Sequence, residues 1–506
     1  MPAYIVTKEQ MVAIEEQSIK KQKHPIWELM KAAGTKVAEQ IMSFAKKEQK
    51  ITILCGKGNN GGDGLVAAQV LKKSGYKNVT VYVTGIKDEL TDASKKAYQE
   101  LTPDLLITDY KQAILKADII LDCLFGFSLK GEVKGVPKEI IDLVNNSLAY
   151  VVSVDMPSGL EADSGKVYGS AVKADETLAL SCLKIGQIQA QGPNYCGLLS
   201  LIDIGISSQI IEEIAKVKAL MPQEAAELLP QKETTVHKRA AGVALVIAGS
   251  KGMMGAAALT AQSALRSGAG LVYLAVPQSL LIIAEQKLTE IVKIPVKESD
   301  EATFCPDSIG DLLDVVSQTQ AVAVGPGLSE KKEAYDFVKQ FLSKTESSLV
   351  IDASAINAFK GKPELIRKSR SQKILTPHTG ELSRLIGMDA TEIQNNRIDA
   401  AKRASDLSGS TVVLKGAYSV IASNDETWVN LTGNQGLASA GTGDVLTGLI
   451  CGLIAQGLSG FNAALLGTYL HGLAADLAVG DLTPYCLIAS DLIAYLPQSI
   501  KYLEEL

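Results

Sequence analysis

The chain has 506 residues, more than one ordinary core accommodates, so two or three domains are expected. It is 46% hydrophobic and 21% charged, with a net charge of -6 and no long basic run, which argues against a nucleic-acid partner. Seven scattered cysteines form no C-x-x-C pair, and an odd number cannot all pair within one chain, so reduced, mostly buried thiols in a cytoplasmic protein are expected.

The N-terminus meets charges before any apolar core and does not read as a secretory signal. The apolar run 445–458 is too short to span a bilayer, so no membrane partner is expected. Residues 7–47 read as helical, with a heptad-like apolar stripe over 33–44. Strands are then predicted at 51–55, 79–83, 119–122, 150–155, 177–182 and 198–204, with helices at 64–74 and 137–145. Their continuous apolar character predicts a parallel sheet covered on both faces. A polar helix at 210–218 leads into the polar, proline-containing segment 229–235, which marks a domain boundary. The rhythm then restarts. Strands are predicted at 243–248, 271–276, 321–324, 349–352, 373–375 and 411–415, and helices at 255–267, 329–343, 380–386 and 393–407. Residues 419–422 and 427–430 read as an antiparallel hairpin, followed by helices at 443–456, 460–479 and 489–502.

The first glycine loop, G-K-G-N-N-G-G-D-G at 56–64, follows a strand and opens a helix. Free N–H groups and the helix dipole favour an anion there. It is not an ordinary dinucleotide site, because the second strand ends at Val83-Thr84-Gly85 with no acid for a ribose, and no Gly-Lys-Ser/Thr closes it as a Walker loop. A tight turn without a ligand is the alternative. Asn60, Asp122 and Ser158 all follow or end strands, and an amide, a carboxylate and a hydroxyl converging at carboxyl ends would suit a hard cation. Lys130 lies in the loop 126–132, where an ordinary solvated lysine is the alternative to a functional one.

Taken in order, the loop 56–64, Asp122 with the loop 126–132, and Val154-Asp155-Met156-Pro157-Ser158-Gly159 resemble the epimerase domain of the NAD(P)H-hydrate repair enzymes. The resemblance implies a Rossmann-like three-layer α/β/α domain acting on hydrated NADH or NADPH. By that likeness Asn59, Asn60, Gly61, Gly62, Asp63, Gly126, Phe127, Ser128, Leu129, Lys130, Gly131, Glu132 and Asp155 would contact the substrate. Asn60, Asp122 and Ser158 would hold K+, and Lys130 and Asp155 would be the acid/base candidates.

In the second half, the segment 434–444 ends in Gly441-Thr442-Gly443-Asp444 before a strongly apolar helix. Glycines let the backbone approach a phosphate, and N–H groups at the helix start form an anion hole. A carboxylate repels phosphate, so the useful role for Asp444 is general base on a substrate hydroxyl as phosphoryl transfer begins. An acidic helix cap is the alternative. The loops 249–257, 325–328, 375–381 and 414–419 also sit at strand ends.

This order resembles the ADP/ATP-dependent NAD(P)H-hydrate dehydratases, and the likeness implies a C-terminal ribokinase-like α/β domain. The expected division is an epimerase domain over 1–215, a linker over 216–238 and a dehydratase domain over 239–506. By the likeness Ala256, Gly327, His378 and Asp444 would contact the hydrate. Lys415, Gly416, Ala417, Tyr418, Ser419 and Gly443 would contact ADP or ATP, with Mg2+ bridging the phosphates. The chain departs from that pattern at Arg239, at Ser354 where a second Asp is usual, and at Ala438-Ser439-Ala440. The implied function is epimerisation of R and S hydrates followed by ADP- or ATP-dependent dehydration of the S form. The rival is a ribokinase-class small-molecule kinase with a non-catalytic N-terminal binding module. A homo-oligomer is expected; apolar helices such as 460–479 can pack within the chain or between subunits.

Overall fold

Strands that are apolar on both faces need a layer of helices on each side. The structure, a computed structural model, describes residues 2–21 and 25–506, and the helix expected across 22–24 lies outside the described residues. Its contacts divide the chain between Val217 and Lys218. That break lies near the N-terminal end of the expected linker 216–238. The strands in chain order are β1 (Ala3–Val6), β2 (Ile51–Cys55), β3 (Val79–Val83), β4 (Ile119–Cys123), β5 (Tyr150–Val154), β6 (Glu176–Leu180), β7 (Leu183–Lys184), β8 (Leu198–Ile202), β9 (Val217–Ala219), β10 (Val243–Ile247), β11 (Leu271–Pro277), β12 (Val292–Val296), β13 (Ala321–Val324), β14 (Ser348–Ile351), β15 (Lys373–Leu375), β16 (Thr411–Leu414), β17 (Val420–Ala422) and β18 (Thr427–Val429).

In the N-terminal unit a six-stranded sheet runs β3-β2-β4-β5-β6-β8, with every pair parallel. The helices Ile26–Phe44 and Asn59–Lys73 share one apolar cluster with β2 and β4. Tyr110–Lys116 and Val136–Asn145 supply a second cluster. The unit is therefore the three-layer α/β/α sandwich that was expected. The chain leaves β2 for β3 on one side and returns to β4 on the other, which opens a crevice at their carboxyl ends.

In the C-terminal unit nine strands pair in the order β12-β11-β10-β13-β14-β15-β16-β17-β18. Pairing is parallel up to β16 and antiparallel through β17 and β18, the hairpin read from the sequence. The topological switch here lies between β10 and β13.

Four differences from the sequence reading have physical causes. The helix after β2 begins at Asn59 rather than Gly64, so Asn59 to Asp63 form its first turn. Gly61 and Gly62 are there for close packing: a Cβ on Gly61 would lie 2.0 Å from the Gly56 carbonyl oxygen, and one on Gly62 2.5 Å from Met30. The helix expected at 393–407 is two helices, Ala390–Asn395 and Arg397–Ser408, broken at Asn396. The helix at 210–218 stops at Ile214, because Val217–Ala219 is strand β9. Finally, Gly460–Asp481 is long and apolar enough to cross a bilayer by length and composition, yet it is packed in the core of its own unit. Of the two packings open to this helix, within the chain or between subunits, most of its surface takes the first.

Two glycines let the helices Met254–Arg266 and Thr442–Ala455 meet backbone to backbone. A Cβ at Gly448 would lie 2.0 Å from the Thr260 carbonyl oxygen, and one at Gly452 2.0 Å from Ser267 Oγ. Gly448→Ala is expected to destabilise the C-terminal unit by about 1–3 kcal/mol through overpacking, measured by chemical denaturation.

Candidate active sites

The crevice of the N-terminal sheet opens into a cavity of about 740 Å³. The loops after β2 and β4 line it with Asn59, Asn60 and Asp63, and with Gly126, Phe127, Ser128, Leu129 and Lys130; Asp155 follows β5 and lines it too. Gly61, Gly62, Gly131 and Glu132 do not line it. The two loops approach closely because Gly56 carries no side chain, where a Cβ would sit 1.8 Å from the Leu124 carbonyl oxygen.

Asp155 is buried and holds a left-handed backbone, with φ of 67°. Its Oδ2 accepts from Phe127 N (3.0 Å), and its Oδ1 accepts from Lys184 Nζ in an ion pair. Lys184 is wholly buried, and its ammonium also donates to the carbonyls of Leu180 (3.2 Å) and Cys182 (3.0 Å). Gln187 Nε2 donates to the Asp155 carbonyl (2.8 Å) and Lys184 N donates to Gln187 Oε1 (2.8 Å). Burial raises the Asp63 carboxyl well above its usual range, with repulsion from Asp155 and Glu15 adding to it. Lys130, by contrast, is exposed.

Behind Asp155, Asp122 is fully buried. Ser158 Oγ donates to its Oδ1 (2.5 Å), while Ser158 N and Ser153 Oγ donate to its Oδ2 (both 2.8 Å). Burial still raises its carboxyl, although these hydrogen bonds oppose the shift. Among the described residues no ion pair joins Asp122 to a lysine or arginine. The Asn60 amide is buried with neither its Nδ2 nor its Oδ1 partnered. A buried carboxylate without a cation and an orphaned amide are a donor set that fits K+.

In the C-terminal unit four charged groups gather at strand ends and helix starts. Lys415 Nζ donates to Asp352 Oδ1 (2.8 Å), and Thr447 Oγ1 donates to Asp352 Oδ2 (2.7 Å). Burial pulls the Lys415 ammonium down, but Asp352, Glu381 and Asp444 outweigh it and hold the group above its usual range. Asp444 is pushed up to about 6, first by burial and then by the Asp352 carboxylate, with Lys415 opposing. Glu381 is buried and also raised, chiefly by burial.

His378 caps the helix Thr379–Ile386. Its Nδ1 accepts from Gly380 N (3.0 Å) and Glu381 N (3.4 Å), while Glu381 Oε2 accepts from His378 N (2.8 Å). The ring is half exposed, so its outer edge stays open to a ligand. Gly327 has φ of 63°, and a Cβ there would lie 3.1 Å from Ala256 Cβ, so these two predicted contacts adjoin. A Cβ on Gly443 would lie 3.1 Å from Lys415 Nζ, which places the anion hole over that ammonium. Gly416, Ala417, Tyr418 and Ser419 follow β16 in a turn with Tyr418 at φ 52°.

The three departures leave the scaffold closed. Thr442 Oγ1 donates to the carbonyls of Leu437 (2.9 Å) and Ser439 (3.0 Å) and so ties down the segment 438–440. Ser354 Oγ donates to the Leu328 carbonyl (2.5 Å). Arg239 is exposed and donates to Gln318 Oε1 (3.4 Å). Beneath the loop, buried His471 Nε2 donates to the Thr442 carbonyl (2.9 Å), and burial pulls its ring down to about 4.

Residues 244–498 match the family model described as NAD(P)H-hydrate dehydratase, and residues 27–186 match that of the YjeF-related protein N-terminus. The bifunctional NAD(P)H-hydrate repair enzyme Nnr of Moorella thermoacetica is 35% identical over 99% of this chain and 97% of its own length. The Escherichia coli protein of the same name is 30% identical over 94% of this chain and 90% of its own. The chain belongs to the bifunctional NAD(P)H-hydrate repair enzymes. Among solved structures, an ADP/ATP-dependent NAD(P)H-hydrate dehydratase from Bacillus subtilis is 30% identical, with a TM-score of 0.49 over 56% of this chain and 98% of its own. The end-to-end match with the repair enzymes favours the two-activity reading over a lone kinase with an idle module.

Sequence reasoning missed Lys184, Gln187, Glu15, Glu381 and His471. For Lys184 a signal existed: a lysine inside the apolar run Leu180-Ser181-Cys182-Leu183-Lys184-Ile185 has to find a buried partner. For Glu381 the signal was its place three residues after a helix cap. Lys184→Met leaves Asp155 buried without its cation, and is expected to destabilise the N-terminal unit by about 3–5 kcal/mol, measured by denaturation. Adding Asp155→Asn should return part of that loss, which a double-mutant cycle would register.

Proposed function

We propose that the N-terminal unit interconverts the R and S epimers of hydrated NADH and NADPH, and that the C-terminal unit uses ADP or ATP to dehydrate the S epimer to NADH or NADPH. The observation that carries this reading is the pair of aspartates, Asp155 at the end of a strand and Asp444 in the first turn of a helix, each set among buried charges in a chain that aligns end to end with bifunctional relatives.

In the hydrate, C6 of the nicotinamide ring bears a hydroxyl beside a ring nitrogen. When the C6–O bond breaks, its electrons leave with the oxygen, a proton makes that oxygen water, and the nitrogen lone pair stabilises the cation. Water returning on the other face and losing a proton gives the opposite epimer. Asp155 exchanges the proton with that oxygen. Lys184 holds the Asp155 carboxyl group in place at the cavity through their ion pair. Lys130 and the loop 126–130 close over the ring. Asn60, Asp122 and Ser158 would hold K+, which supplies the positive charge that the Asp122 carboxylate otherwise lacks.

In the second unit Asp444 takes the proton of the C6 hydroxyl as its oxygen attacks the terminal phosphorus of the nucleotide. The N–H groups at the start of Thr442–Ala455 receive the phosphate charge. Lys415 and Gly443 sit where the nucleotide phosphates would lie, and Mg2+ bound with the nucleotide would neutralise part of their charge. The C6 phosphate then leaves with its bonding electrons, and loss of a C5 proton restores the ring double bond. Phosphorylation has turned hydroxide, a poor leaving group, into a good one. All seven cysteines are unpaired, which suits the reducing cytoplasm.

Racemic hydrate with ADP or ATP and Mg2+ should be converted fully, read as returning NADH absorbance. Asp155→Asn should stop near half conversion, and Asp444→Asn should abolish dehydration while epimerisation continues. Because Asp444 must be unprotonated to accept the hydroxyl proton, and its pKa is pushed up to about 6, the dehydration rate should fall as pH is lowered through about 6. A flat profile from pH 5 to 8 would remove Asp444 from the role of base.

A further inference from the structure

Inversion at C6 makes a demand that one aspartate does not meet. The hydroxyl leaves from one face of the ring and water adds to the other, so a proton must be handled on both faces. Asp155 reaches the cavity from the end of β5. A second proton-carrying group has to come from another element.

The helix Lys8–Lys21 supplies one wall of the cavity. Met11, Glu15 and Ile19 stand at i, i+4 and i+8 on it, and all three line the cavity. A carboxyl thus interrupts an apolar stripe that would suit the face of a ring. Among the described residues no hydrogen bond or salt bridge holds Glu15, unlike Asp155. The other charged groups of the cavity come from several elements: Asp63 from the helix Asn59–Lys73, Lys184 beside Asp155, and Glu16, Lys57 and Lys130 on the lining. Glu16 and Lys57 are exposed, and Lys57 is paired with Glu89 (2.6 Å). Asp63 is deeper than Glu15, which is only half-buried and so keeps a path to solvent for exchange of its proton.

We propose that Glu15 is a second catalytic residue of the epimerase site, exchanging a proton with the C6 oxygen on the ring face away from Asp155. The proposal rests on the epimerase reading above. In one direction the Glu15 carboxyl protonates the departing hydroxyl, the C6–O bond electrons leave with water, and the ring nitrogen stabilises the cation. Water then bonds to C6 from the other face and gives its proton to Asp155. In the reverse direction the two exchange roles. Proton exchange with cavity water resets the pair, so no co-reactant is consumed. Burial, reinforced by the Asp155 carboxylate and opposed by Lys184, raises the Glu15 carboxyl to about 7, so both protonation forms are present near neutrality. Asp63 is raised well above its usual range, chiefly by burial.

The test uses the full chain and separated epimers of NADH hydrate, with interconversion followed chromatographically without nucleotide. Glu15→Gln should lower the epimerisation kcat by about 100-fold or more with KM little changed, and remove the neutral limb of the pH profile. Dehydration of the S epimer should be unaffected. Glu15→Asp should restore activity in part, with the limb displaced. Epimerisation by Glu15→Gln within about threefold of the parent, or an unmoved limb in either variant, would overturn the proposal. So would a limb lost in Lys130→Ala but kept in Glu15→Asp. If Glu15→Gln melts early, Glu15→Asp decides on the same limb. A parent protein that does not interconvert the epimers at all would sink the epimerase reading itself, a result distinct from any of these.

Discussion

A lysine ammonium taken out of water needs strong acceptors, and in both sites of this chain one acceptor is a carboxylate. In the N-terminal unit it is Lys184 with Asp155, and in the C-terminal unit Lys415 with Asp352. In each pair the aspartate follows the carboxyl end of a parallel strand, β5 in the first and β14 in the second. Each is also outnumbered. Glu15 and Asp63 join the first pair, and Glu381 and Asp444 join the second. Three carboxylates sharing one ammonium away from bulk water do not all ionise easily, so Glu15 and Asp63 in the first cluster and Glu381 and Asp444 in the second are raised above the usual carboxylate range. That is the condition proton transfer at a C6 oxygen needs.

The rest of the scaffold keeps these clusters in register. Gly56 lets the ends of β2 and β4 approach, and Gly448 with Gly452 lets the helix carrying Asp444 lie directly on Met254–Arg266. His471 holds the Thr442 carbonyl from below, and Thr442 holds the segment that precedes Gly441. The start of that helix is therefore held from below, and the Ala438-Ser439-Ala440 segment before it is tied down by the Thr442 hydroxyl.

Much of this was legible from residues alone. The apolar β-branched runs placed β2, β13 and β15 at their observed bounds, because fully buried parallel strands leave few polar residues to confuse the pattern, and β3, half-buried at the sheet edge, was placed as well. The three motifs of the first unit and the Gly-Thr-Gly-Asp loop of the second pointed to the correct strand ends. What stayed hidden has a common cause. Lys184, Glu15, Glu381 and His471 owe their importance to partners far along the chain or to the loss of water around them, and neither is written in local spacing. In the first glycine loop only the helix start was misplaced: it was read at Gly64, whereas the helix begins at Asn59 and Gly61 and Gly62 serve close packing within its first turn. Lys130 was the lysine singled out because it sits in a motif, while Lys184, in a plain apolar run, is the one that meets Asp155.

The left-handed backbone at Asp155 has a consequence for how this position can vary. Most side chains resist a φ of 67°; glycine, asparagine and aspartate accept it with little strain. Glycine and asparagine satisfy the turn but bring no negative charge for Lys184. Glutamate brings the charge but fits the turn poorly. Aspartate alone meets both conditions, so the position is constrained twice over: a substitution that keeps the turn strands the buried Lys184 ammonium, and one that keeps the charge strains the backbone.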